Sequence, residues 1–181
     1  MADAKHIVLG VTGSIAAYKA AELARLMIGK KWDVSVVMTQ AATRFVGELT
    51  FRTLTRRPVV TDMFQETEAW RPTHIALADW ADVLVIAPCT ANVMAKLAHG
   101  LADDALTATA LACAAPLVVA PAMNEKMWNN PVTCENVRVL KSRGVVIVDV
   151  EQGELACGYE GHGRLAALDI IVAAVEKCLK S

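Results

Sequence analysis

The chain reads as an α/β protein, a doubly wound parallel sheet with helices on both faces. Three observations predict this. The strand candidates at 6–10, 34–38, 83–87, 117–120 and 145–148 are rich in Val, Ile and Leu and do not alternate with polar residues, the pattern of strands buried on both faces. Helical segments separate them, and the right-handed crossover rule then lays the strands parallel. The 181 residues suit one substantial core, and no linker, repeat or low-complexity stretch interrupts them, so one domain is expected over 1–181.

The elements follow in order. Strand 6–10 runs into the glycine turn Gly10-Val11-Thr12-Gly13-Ser14 and a helix from 15 to about 30. Strand 34–38 leads to a helical stretch from about 41 and a helix at 49–55. Val59-Val60 is a candidate short strand. Residues 58–72 are loop-rich, and Trp70-Arg71-Pro72 breaks any periodicity. Thr73 is then placed to cap a short helix over 74–80. After strand 83–87 come helices at 91–98 and 104–114, and strand 117–120 ends in a proline-stiffened turn, Pro121-Ala122-Met123-Asn124. Helix 132–142 stops at Gly144, strand 145–148 follows, and a last helix covers 168–179. Between those two, Gly153, Gly158, Gly161 and Gly163 crowd residues 149–165, which reads as a long glycine-rich loop, surface or lid.

Composition excludes several classes. Hydrophobic residues make up 55% of the chain but aromatics only 5%, an aliphatic surplus that points to apolar surface buried between subunits. A net charge of −1 offers nothing to nucleic acid or to an anionic membrane. The longest uncharged run, 105–124, contains Pro116 and Pro121 and reads as helix, turn and strand, not as a membrane span. No secretory signal is expected. Cys89, Cys113, Cys134, Cys157 and Cys178 are odd in number, widely spaced and without a C-x-x-C pair. That spacing predicts reduced thiols in a cytoplasmic protein, with neither a disulfide framework nor structural zinc. No histidine pair has metal-ligand spacing, so no metal is expected.

Ligands of open α/β sheets sit at the carboxyl ends of the strands, and four such ends here carry polar groups, Asn124 after strand 117–120 being the last. The first is the glycine turn, which lets backbone approach a phosphate at a helix N-terminus or else simply connects strand and helix. It is neither G-x-G-x-x-G nor a P-loop, since Lys19 lies well inside the expected helix. The second strand ends at Thr39, where a dinucleotide site would offer an acidic ribose ligand. The third offers Thr90 and Asn92. Hydroxyls and amides on neighbouring strand ends fit a single-phosphate, aromatic-ring cofactor such as FMN. Asn124 can both donate and accept without bringing charge into a pocket, or it can cap the helix that starts at Glu125.

Two further residues have chemistry. His74 falls at a predicted helix N-terminus, as a general base or as a cap or surface residue. Cys157 lies on the glycine-rich segment within Ala156-Cys157-Gly158, and Arg164 beside it could reach an anion.

Taken together, Gly-Val-Thr-Gly-Ser-Ile-Ala-Ala-Tyr-Lys at 10–19, His74, Ala-Pro-Cys-Thr-Ala-Asn at 87–92, Pro-Ala-Met-Asn at 121–124, Ala-Cys-Gly at 156–158 and Gly-Arg at 163–164 resemble the homo-oligomeric flavin-containing cysteine decarboxylases. Within them the chain is most similar to the phosphopantothenoylcysteine decarboxylases of coenzyme A biosynthesis. The resemblance implies a Rossmann-like, flavodoxin-like domain. It implies FMN held by Gly13, Ser14, Thr39, Thr90 and Asn92, with Thr107 and Ala122–Met123 lining the pocket. His74 would be the base, Asn124 the ligand of the substrate carboxylate and Cys157 a proton donor. Met123, Ala156 and Arg164 would stand on the substrate side, with 149–165 as a closing flap. It also implies a homotrimer with flavin between subunits, so that His74 can serve a neighbour's site, and further assembly into dodecamers. Many bacterial relatives are fused to the synthetase that makes the substrate, so the chain would be a standalone enzyme or an excised domain.

The implied chemistry explains the residue types. Loss of CO₂ from a cysteine carboxylate leaves carbanion charge with no sink. Oxidation of the thiol to a thioaldehyde creates one, CO₂ leaves to give an enethiolate, and return of the hydride with a proton gives the cysteamine product. No external reductant is needed. Rival readings are a peptidyl-cysteine decarboxylase, which shares the His and Pro-Ala-Met-Asn elements, a flavin prenyltransferase, and a non-catalytic partner subunit, a kind that tends to have lost one of the His, Asn or Cys positions, all three of which this chain retains.

Overall fold

The computed structural model describes residues 4–64, 71–154, 158 and 160–180. Six parallel strands form one sheet in the order β3-β2-β1-β4-β5-β6: β1 His6–Val11, β2 Asp33–Met38, β3 Val59–Val60, β4 Val83–Cys89, β5 Leu117–Pro121 and β6 Val146–Ile147. The short Val59-Val60 strand exists, which makes 83–89 the fourth. Every residue of β4 is buried, as its unbroken apolar run requires.

Helices cover both faces. On one lie α1 Lys19–Gly29, α2 Glu48–Thr55 and α8 Leu168–Cys178, packed through Leu23, Met27, Phe51, Ile171 and Val175 against Ile7, Leu9, Val36 and Val85. On the other lie α3 Thr73–Trp80, α4 Ala91–His99, α5 Ala105–Ala112 and α7 Pro131–Ser142, packed through Leu77, Met94, Leu106 and Leu140 against Val8, Val37, Leu84 and Ile86. A Cβ on Gly10 would come within 2.5 Å of a Leu106 methyl, so α5 presses on the sheet where β1 has no side chain. The expected doubly wound, Rossmann-like sheet is the observed one. No described helix is long and apolar enough to cross a membrane.

Three local expectations need correction. The helix expected from residue 15 begins as a 3-10 turn, Ile15–Tyr18, capped by the Ser14 hydroxyl, and α1 starts only at Lys19. Lys19 therefore stands in the first turn of its helix rather than deep inside it. In α3 the cap position belongs to Pro72, and Thr73 is the first helical residue with no side-chain cap bond. The segment 149–165 is not an irregular loop. It contains an antiparallel hairpin, β7 Glu151–Glu154 with β8 Glu160–Arg164. Its connection, including Ala156 and Cys157, lies outside the described residues.

The chain runs outward from β1 to β3 and then returns to place β4 on β1's other side. This reversal leaves a crevice at the carboxyl ends of β1 and β4, where the two halves of a doubly wound sheet part.

Candidate functional site

A cavity of about 650 Å³ opens at that switch point, beyond β1, β4 and β5, within the roughly 300–1,000 Å³ usual for small-ligand sites. Its wall comes from four chain segments: Gly13 to Lys19 after β1, Thr90–Ala91 after β4, Ala122 to Asn124 with Met127 after β5, and Gly163 to Leu165 from the hairpin.

Hydrogen bonds between neighbouring strand ends fix this wall. Thr12 Oγ1 donates to the Pro88 carbonyl at 2.7 Å and accepts from Thr90 N–H at 3.0 Å, tying the end of β1 to that of β4. Ala122 N–H donates to the Cys89 carbonyl at 3.0 Å, tying β5 to β4. Ser14 Oγ accepts from Ala16 N–H at 3.3 Å and donates to the Ala122 carbonyl at 3.4 Å. Gly13 has to be glycine, because a Cβ there would sit 2.5 Å from Ala41 Cβ in the loop after β2. Thr90 caps α4 by accepting from Val93 N–H.

Asn124 is the expected helix cap and also stands in the cavity wall. Its Oδ1 accepts from Lys126 N–H at 2.9 Å, capping the short helix α6 Glu125–Trp128, and the residue also lines the cavity. The hairpin docks on this same turn. Met123 N–H donates to the Gly163 carbonyl at 2.9 Å, and Glu125 Oε1 accepts from His162 N–H at 3.1 Å. Gly163 has φ +142° and a Cβ there would lie 2.1 Å from the Met123 carbonyl oxygen, so only glycine allows the approach.

Of the residues singled out from sequence, Gly13, Ser14, Thr90, Ala122, Met123, Asn124 and Arg164 line the cavity. Four described ones stand elsewhere. Thr39 is buried, its hydroxyl accepting from Ala42 N–H at 3.3 Å. Asn92 is exposed on α4. Thr107 is buried in a capping box with Asp104 at the start of α5. His74, on the α3 side of the sheet, is not part of the described cavity wall of its own chain, and its Nδ1 is buried with no hydrogen-bond partner among the described residues. Sequence reasoning missed Lys19, Met127 and the bridging Thr12. For Lys19 the signal was Ser14, whose cap shortens the helix from its front.

Burial pushes the Cys89 thiol up to about 12, which leaves it neutral and inert near pH 7 despite its place at a strand end. The four described cysteines are unpaired. Among the described residues no cluster of acidic, His and Cys side chains is suited to a metal.

The family model described as Flavoprotein matches residues 1–180. This chain belongs to the Flavoprotein family. It is 45% identical over 177 residues to the coenzyme A biosynthesis bifunctional protein CoaBC of Bacillus subtilis (strain 168), covering 98% of this chain but 44% of that protein. The chain thus spans less than half the length of that relative. It is 44% identical to a probable phosphopantothenoylcysteine decarboxylase of Streptococcus mutans, covering 97% of this chain and 99% of that one. Among solved structures, a PPC decarboxylase variant complexed with pantothenoylaminoethenethiol superposes with a TM-score of 0.91 at 33% identity, over 99% of this chain and all of that one. The FMN-dependent cysteine decarboxylase SpaF superposes with a TM-score of 0.84 at 35% identity, over 97% and 95% of the two chains.

Proposed function

We propose that this chain is an FMN-dependent decarboxylase that converts 4′-phosphopantothenoyl-L-cysteine into 4′-phosphopantetheine, a carboxy-lyase of coenzyme A biosynthesis. The observation that supports it most is the convergence of the Gly13-Ser14 turn, Thr90, the Pro-Ala-Met-Asn turn and Gly163-Arg164 on one cavity at the sheet's switch point. The chain also aligns end to end with a probable decarboxylase of this substrate.

The residues present suit FMN. Gly13 lets backbone come close, the Ser14 and Thr90 hydroxyls and neighbouring N–H groups offer neutral polar contacts, and Ile15, Met123, Met127 and Leu165 give an apolar wall for a ring system. Bound FMN would supply reversible two-electron chemistry, accepting a hydride from the substrate's β-carbon and returning it after CO₂ has left. Everything else falls to the protein. Asn124, its carbonyl end fixed by the α6 cap, orients the substrate carboxylate through its amide. His74 takes the proton from the substrate sulfur, and the hairpin with Met123 keeps water from the reacting carbons. Cys157, outside the described residues, is the proposed proton donor in the final step, with Ala156 beside it on the flap.

His74 reaches a cavity through a subunit contact in this reading. It lies on α3 and does not line the cavity of its own chain. Ile15 and Tyr18, 59% and 62% exposed at the cavity wall, suit burial against a second subunit. A homotrimer, assembling further into a dodecamer, supplies that contact. Unpaired thiols agree with a cytoplasmic setting.

His74 and the Pro-Ala-Met-Asn turn are also what the resemblance to peptidyl-cysteine decarboxylases rests on, which makes a peptide ending in cysteine the competing substrate. The test is a panel of phosphopantothenoylcysteine, pantothenoylcysteine and a short peptide with C-terminal cysteine, read by product mass. Faster decarboxylation of the phosphorylated substrate supports the proposal, and turnover of the peptide alone refutes it.

A further inference from the structure

Two cations line the cavity and neither meets an anion. Lys19 stands in the first turn of α1 and Arg164 ends β8. Among the described residues neither side chain makes a hydrogen bond or ion pair, whereas Lys30, Arg57, Arg71, Lys96 and Arg138 each reach a carboxylate. The described wall contains no Asp or Glu, so these two charges face the cavity without compensation. Lys19 is half-buried and Arg164 exposed, which sets the pair toward the solvent side of the cavity. Two cations with no carboxylate partner among the described residues, one on a helix of the scaffold and one on the hairpin, suit a ligand group with two negative charges and several acceptor oxygens.

We propose that Lys19 and Arg164 together form a subsite for a phosphate monoester dianion, with Lys19 as the residue that makes the site prefer phosphorylated ligands. The identity of that phosphate rests on the decarboxylase reading above, which offers two sources: the terminal phosphate of the phosphopantothenoyl substrate, and the phosphate of FMN. An anion held by both side chains bridges α1 to the hairpin.

The experiment compares Lys19→Met with wild type in two affinity ratios. One is 4′-phosphopantetheine against pantetheine, titrated calorimetrically into the FMN-loaded protein. The other is FMN against riboflavin, titrated into the flavin-depleted full chain by fluorescence. The expected result is a loss of roughly 10–100-fold for the phosphorylated member of one pair, with its unphosphorylated partner unchanged, the size of a charge-assisted contact. The pair affected identifies the source. Lys19→Arg should recover most of the loss, and Arg164→Met, on an exposed strand, gives the same readout if Lys19→Met does not fold. Unchanged ratios in both pairs for both variants overturn the subsite. The two readings fail separately: a wild type that prefers phosphorylated ligands yet releases no CO₂ keeps the subsite and loses the decarboxylase. A wild type that decarboxylates while the variants keep both ratios does the reverse.

Discussion

His74 and Asn124 show how far single residues could be read. Both were visible because their positions follow from local rules, one at a helix start and the other at a strand end. The sequence could not say that Asn124 caps α6 and lines the cavity together, because the two roles are compatible only in this turn. Thr39, Asn92 and Thr107 are the opposite case. A hydroxyl or amide beside a strand end is a ligand candidate by type, yet Thr39 and Thr107 spend their hydroxyls on backbone at the starts of helical turns. Ser14 and Thr90 also cap helical turns yet line the cavity, so place in the fold rather than capping separates the two groups. The Nδ1 of His74, buried and without a partner among the described residues, is unusual for a group of that polarity and suits the proposed contact with another molecule. His74→Asn is expected to keep bound flavin and lose CO₂ release by roughly 10²–10⁴-fold, the span of a general base. Visible absorbance and CO₂ release check this together. Turnover near wild type would leave His74 a packing residue.

Among the elements, the hairpin was the least legible. Strand prediction relies on alternating or continuous apolar residues, and Glu160-Gly161-His162-Gly163-Arg164 has neither. What makes it a strand is close approach: Gly161 and Gly163 let β8 lie against the Met123–Glu125 turn, where side chains would collide with Glu125 and with the Met123 carbonyl. The glycines signalled an unusual backbone, and only the tertiary contact says which. The start of α1 was misread for a related reason, since four residues of 3-10 turn carry the same apolar spacing as one turn of α-helix. Glu125 holds the hairpin to the Asn124 turn through His162 N–H. Glu125→Ala is expected to speed amide hydrogen exchange in 160–164 and to weaken substrate binding about 10-fold, the scale of one charged hydrogen bond. Glu125→Gln, which keeps an acceptor oxygen, should restore most of both. Exchange and KM unchanged in Glu125→Ala would remove the latch from the account.

For the molecule as a whole, the sheet was almost fully legible, because strands buried on both faces leave no choice but apolar residues, and β1, β2, β4 and β5 are written that way. The switch point follows from strand order, and strand order was not readable from one sequence. Nor was the distribution of the site. His74 sits on α3, outside the cavity wall of its own chain, so in the proposed mechanism a complete site needs two subunits. Each of the variants His74→Asn and Asn124→Asp is expected to be inactive by itself. Mixed oligomers formed by co-expression should regain activity, because one interface then has an intact His74 and an intact Asn124. No recovery in mixed oligomers would place His74 and Asn124 of one chain in the same site.

In the proposed function, a flavin bound in this cavity would supply reversible two-electron chemistry to the substrate thiol, with no net change once CO₂ has gone. Mixing FMN-loaded protein with phosphopantothenoylcysteine under anaerobic conditions, while recording flavin absorbance and product mass, tests it most directly. The account predicts transient bleaching of the flavin, full recovery of its oxidised spectrum without added reductant, and 4′-phosphopantetheine as the product. Decarboxylated product with no bleaching at any time, or a protein that cannot be loaded with FMN, would contradict it.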